Sequence, residues 1–167
     1  MIALNLPEVK DLMGKLLLQD TFDSFSFIEG SITTFSTFTI DGYLKKDFYN
    51  SDEKELQSLE NRTHVTWGEI RDYCYHIIKG KNPPLSFRFV LAFSAQNTIT
   101  LLQRELPHMS IDQIQGLYLN FQFDKGKLEC ITGTSMKTFS MDKSLEHTWD
   151  DIAMKYFKQK QIFFEKL

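Results

Sequence analysis

"GLYLNFQFDKGKLECIT", residues 116–132, decides the fold. Two runs rich in Leu, Phe, Tyr and Ile alternate with polar residues, the period of a strand with one buried face. Asp124-Lys125-Gly126 separates them, and a glycine in a short polar break marks a tight hairpin. A hairpin commits its strands to antiparallel pairing, so a largely antiparallel sheet is expected.

Working outward, "LSFRFVLAF" at 85–93 reads as a further strand. Ser94 then caps a helix carrying Ile99, Leu102 and Leu106, with Pro107 in the loop beyond. Downstream, "SMKTFSM" at 135–141 reads as a strand, and a final helix places Leu145, Trp149, Ile152 and Tyr156 on one side. "KNPP" at 81–84 interrupts helix and sheet alike and is the joint of the chain.

Ahead of the joint, "MIALNL" is a short strand, and Pro7 opens a helix with Val9, Leu12, Met13, Leu16 and Leu17 on one face. "FDSFSFIEG" and "SITTFSTFTIDG" are strands with Gly30 at the turn between them. Asp41-Gly42 is a hairpin signal leading into "YLKKDFY". Residues 50–65 are a polar connection with one helical turn. Thr66 and Glu69 form a capping box for a helix that buries Ile70, Tyr73, Cys74, Ile77 and Ile78 and stops at Gly80.

Each half thus reads βαβββα. "GYLKKDF" at 42–48 and "GTSMKTF" at 133–139 share the pattern G-x-x-x-K-x-F. Other identities fall in the same order: Ala3 with Ala92, Leu12 with Leu101, Phe27 with Phe123, Gly30 with Gly126, and Thr66-Trp67 with Thr148-Trp149. The expectation is one α+β domain over residues 1–167, with about four helices and an internal duplication of 1–80 as 85–160. Lys46 with Phe48, and Lys137 with Phe139, are the candidate ligand-binding residues. Each cation would share a strand face with an aromatic two residues on and meet an anionic or planar ligand. On the alternative reading the same lysines are edge-strand guards and bind no ligand.

Composition narrows the function classes. The 42% hydrophobic and 25% charged residues fit a globular core, and 15 phenylalanines make that core aromatic. A net charge of −3 argues against nucleic-acid binding by bulk charge. Cys74 and Cys130 form no C-x-x-C pair, so reduced cytoplasmic thiols are expected. The first residues lack the pattern of a signal peptide, and no apolar run reaches membrane-spanning length.

The stretches "DTFDSF", "SITTFSTFTIDG", "PLSF" and "TGTSMKTFSMDKSLEHTWDD" resemble an uncharacterised family of small bacterial proteins across nearly the whole chain. That resemblance implies a cytoplasmic bacterial protein and no established activity. The duplicated element order resembles the sliding DNA clamp domain, and, with a closing helix, the TATA-binding-protein fold, whose glycine-lysine hairpin "GKLECITG" at 126–133 is similar to. The chain departs from both, having an extra helix in each clamp-like half and no basic balance.

Catalytic signals are few. Glu146, His147, Asp150 and Asp151 stand at spacings that suit a metal on a helix. The apolar stripe beside them turns these groups towards water, where acids near a helix start also favour its dipole. No glycine-rich phosphate loop and no nucleophile elbow occurs. The expectation is therefore a non-catalytic binding or scaffold domain with no cofactor and no membrane. Its partner is a protein or nucleic acid, and a homo-oligomer is left open. The alternative is a metal-assisted hydrolase using the 146–151 cluster.

Overall fold

The computed structural model describes residues 1–56 and 59–167. Strand β1 (Ala3–Asn5) leads to helix α1 (Val9–Leu17), strands β2 (Ser26–Thr33) and β3 (Thr37–Asp41), and helices α2 (Ser51–Leu56) and α3 (Trp67–Ile78). Then follow β4 (Ser86–Ala92), α4 (Ala95–Glu105), β5 (Ile114–Asp124), β6 (Lys127–Met136), α5 (Ser144–Gln159) and β7 (Glu165–Lys166). The seven strands form one sheet in the order β3-β2-β4-β5-β6-β1-β7, and every pairing is antiparallel. The fold is α+β.

The hairpin at Asp124–Lys127 forms as expected. Lys125 and Gly126 take positive φ of 50° and 79°, as a two-residue primed turn requires. Phe87, Phe89, Leu119, Phe121, Leu128 and Cys130 point from the central strands to one face, where Phe22, Trp67, Trp149 and Phe157 close the core. The two indoles are anchored by their ring N–H groups. Trp67 donates to the Leu16 carbonyl at 2.7 Å, and Trp149 to the Tyr118 carbonyl at 2.9 Å. Arg71 of α3 grips Asp23 with two nitrogens, at 2.7 and 3.2 Å, fixing that helix to the segment after α1.

Four expectations need correction. Gly30 lies inside β2, and the turn comes at 34–36. A Cβ at Gly30 would sit 2.8 Å from the Phe89 ring, so glycine serves close packing there. Asp41-Gly42 makes no hairpin, and "YLKKDFY" carries only a Tyr43–His64 bridge and a 3₁₀ turn at Lys46–Phe48. "SMKTFSM" forms no new strand, because Gly133–Met136 simply extends β6. Tyr73 is exposed, since the buried stripe of α3 runs through Trp67, Cys74 and Ile78.

The capping box is present: the Glu69 carboxylate accepts from the Thr66 backbone N–H at 2.9 Å. Within the 50–65 connection, α2 supplies the expected helical turn, while 57–58 fall outside the described residues. The expected βαβββα unit is not what forms: the first half runs strand, helix, two strands and two helices, and the second strand, helix, two strands, a helix and the short β7. The sheet treats them differently: β4 lies between β2 and β5, whereas β1 lies between β6 and β7. Among the described residues no helix is long and apolar enough to cross a membrane.

Candidate functional site

At one end of the sheet, the start of β2, the end of β4 and the first half of β5 lie side by side, Ser26 against Ala92 and Ala92 against Tyr118. A cleft of about 640 Å³ opens there. The segment after the 3₁₀ turn at Leu59–Asn61 forms one wall, where Arg62, Thr63, His64 and Thr66 all line the cleft. The start of α4 forms the opposite wall, where Ser94 caps the helix by accepting from the Asn97 N–H at 3.1 Å. Lys137 closes the end. Its backbone N–H donates to the Gln113 carbonyl at 2.9 Å, which carries the residue past β6 into the cleft lining.

The cleft collects hydroxyls from Ser24, Ser26, Thr66, Ser94 and Tyr118 beside Arg62, His64 and Lys137, and its acidic lining among the described residues is Asp112. Burial pushes the Tyr118 phenol upward, so it stays a neutral donor. His64 accepts or donates through Nδ1 to the Thr63 hydroxyl at 2.8 Å. Arg62 is held by Glu69. Burial pushes the Glu69 carboxyl up, but hydrogen bonds from the Thr66 N–H and Arg62 outweigh it and hold the pKa below the usual value. Among the described residues Lys137 makes no ion pair.

Two smaller depressions of about 310 Å³ adjoin the cleft. One shares Arg62 and Thr63 with it and contains Lys45 and Lys46. The other shares Lys137 and contains Phe139, Lys143 and Glu146. The broad depression of about 770 Å³ beside α1 is lined by that single helix and its flanks, with Glu8, Lys10, Asp11 and Gln19 as its polar groups.

Of the sequence-predicted ligand residues, Lys137 alone lines the main cleft. Lys46 stands on the 3₁₀ turn and Phe139 in the loop after β6, each in a side depression. Phe48 is 85% and Phe139 92% exposed. Neither lysine shares a strand face with its phenylalanine, and neither guards a strand edge, because neither segment forms a strand. Sequence reasoning missed Arg62, His64 and the ring of hydroxyls. The run of polar residues in "NRTHVT" was the available signal.

The 146–151 cluster is split. Glu146 and Asp150 reach the Met1 ammonium at 2.5 and 3.1 Å, and Asp150 also accepts from the Thr132 hydroxyl at 2.5 Å. Asp150 is therefore half-buried against β6 and does not face water as expected. His147 and Asp151 are exposed. Among the described residues no three His, Cys, Asp or Glu side chains gather in a group able to hold a metal ion.

No curated protein and no solved structure matches this chain. Residues 15–165 do match a family of unknown function, DUF5721, and by that extent of agreement the chain belongs to it.

Proposed function

We propose that this chain is a non-catalytic binding domain whose cleft receives an anionic group of a protein or nucleic-acid partner. One observation carries the reading. The fold brings Arg62, His64 and Lys137, from two distant segments, into a single cleft ringed by hydroxyls. Donors converging on a concave surface suit a phosphate or carboxylate: Lys137 makes no ion pair among the described residues, and Arg62 brings the guanidinium nitrogens that Glu69 leaves over. A cytoplasmic setting belongs to the same proposal, supported by two free, buried cysteines. So does an origin by duplication, supported by the strand–helix–strand–strand order with which each half begins.

The test is a titration of the intact protein with inorganic phosphate, an acidic peptide and a single-stranded oligonucleotide, each at low and high salt. At least one probe should bind, more weakly as salt rises. Lys137→Glu should weaken that probe by roughly tenfold or more, the scale of one charge-assisted contact. Lys137 is exposed, so the fold tolerates the change. Binding that Lys137→Glu leaves untouched, or no binding by any of the three probes, would overturn the reading.

A further inference from the structure

The two edges of the sheet are built differently. β7 is a two-residue strand, Glu165–Lys166, short and charged, and so poorly suited to pairing with another chain. The opposite edge, β3, is Thr-Phe-Thr-Ile-Asp over Thr37–Asp41, without lysine, proline or bulge. Its one charge, Asp41, is held by Lys45 at 3.1 Å and by the Tyr43 backbone N–H at 2.9 Å. The lysine that the sequence pattern would place on an edge, Lys46, stands instead on the 3₁₀ turn.

The hydrogen bonds fix which backbone groups of β3 are free. The Leu85 N–H donates to the Thr33 carbonyl, so Thr33 turns towards β4, and its partner Thr37 turns away from β2. The Gly42 N–H donates to the Ile28 carbonyl, so Gly42 turns towards β2. By alternation Phe38 and Ile40 bond inward, while Thr37, Thr39 and Asp41 direct N–H and C=O outward from the sheet.

We propose that β3 is a homodimer edge, where a second copy of this chain adds its own β3 antiparallel about a two-fold axis at Thr39. That register is self-complementary. Thr39 faces Thr39, and Thr37 faces Asp41, so no like charges oppose. Phe38 faces Ile40, an aromatic–β-branched pair of the favourable kind. Both are half-buried on the helix-covered side, beside Ile32 and Gly30. Phe35, 93% exposed, in the turn before β3, and Tyr43, 56% exposed, just after it, flank this edge. The two sheets become one continuous sheet. A contact this small belongs with interfaces below about 1,200 Å², so the dimer is weak and concentration-dependent.

Sedimentation velocity over a concentration series should show the weight-average mass rising from one copy towards two. Thr39→Lys sets like charges opposite each other at the axis and should raise the dimer dissociation constant at least tenfold. Thr39→Cys reads the register itself. Residues opposite each other in a hydrogen-bonded antiparallel pair lie about 5.5 Å apart at Cα, within disulfide reach. Mild oxidation of the Thr39→Cys variant should therefore give a covalent dimer, whereas Thr37→Cys, two residues off the axis, should not. The native cysteines are buried and leave the readout clean. A protein that stays monomeric at all concentrations would overturn the proposal. So would a dimer indifferent to Thr39→Lys, or equal cross-linking at both positions. An acidic or apolar peptide binding this edge in place of a second copy would show as binding without self-association, and would equally refute it.

Discussion

Replacing Trp149 by alanine should be the most damaging change on α5. The indole is 1% exposed and packs 5.0 Å from the Phe93 ring. Removing a buried aromatic side chain costs about 3–5 kcal/mol through lost transfer energy and the cavity left behind. The change also removes the indole N–H donated to the Tyr118 carbonyl at 2.9 Å; that carbonyl keeps its place opposite Gly133 in the β5–β6 ladder, so the lost hydrogen bond adds about 0.5–1.5 kcal/mol. Partial overlap of the two brings the expected loss to roughly 4–6 kcal/mol, against a total of about 5–15 kcal/mol for a typical domain. With a urea slope of about 2 kcal/mol per molar, the midpoint falls by roughly 2–3 M. Trp67, 0% exposed, remains as the fluorescence reporter. Trp149→Phe keeps an aromatic ring without the N–H and should lose about half as much. Asp150→Ala removes the acceptor of the Thr132 hydroxyl and should cost about 1–2 kcal/mol. Asp151→Ala, on the exposed side, should stay within about 0.5 kcal/mol. None of these losses should respond to chelator. A Trp149→Ala midpoint shift below about 0.3 M would refute the packing argument. A chelator-sensitive defect in either aspartate variant would revive a metal site at 146–151.

Three further outcomes are expected. Gly42→Ala should destabilise by at least about 1–3 kcal/mol, because a Cβ there would meet the Phe27 carbonyl oxygen at 1.9 Å. Gly133→Ala, whose nearest neighbour would be at 3.7 Å, should be close to neutral, and paired urea melts compare them. Glu69 has a folded pKa below its unfolded value of 4.5, so its contribution is present above about 4.5 and is lost as pH falls through the lower folded value. Glu69→Gln should flatten that acid limb, measured by thermal melts across pH 2–6 (about the carboxylate range). Burial pushes the Cys74 thiol up to about 12 and raises Cys130 as well. A thiol reagent near pH 8 (about the range where a free thiol reacts) should label neither residue until urea unfolds the chain. Fast native labelling of Cys74 would show that α3 opens.

The elements whose signals are local were legible in the sequence. The Lys125-Gly126 turn, the Thr66–Glu69 box, the Ser94 cap and the stripe through Leu145 and Trp149 each depend on residues a few positions apart. The elements that failed depend on neighbours distant in the chain. Gly30 looks like a turn glycine, but the Phe89 ring of β4 decides its role; Gly42 looks like a hairpin glycine, but the Phe27 backbone crowds it. Gly42 and Gly133 match in sequence, yet only one stands where a side chain cannot fit. The strand order could not be read either, because the alternation of β1 says that it has a buried face and not that its partner is β6. The cleft follows the same division. Sequence marks Lys137 as unusual, while its meeting with Arg62 and His64 exists only once β2, β4 and β5 are laid side by side. Short-range propensity and periodicity wrote the elements. Long-range backbone pairing, which carries no local signature, decided which side chains share a site.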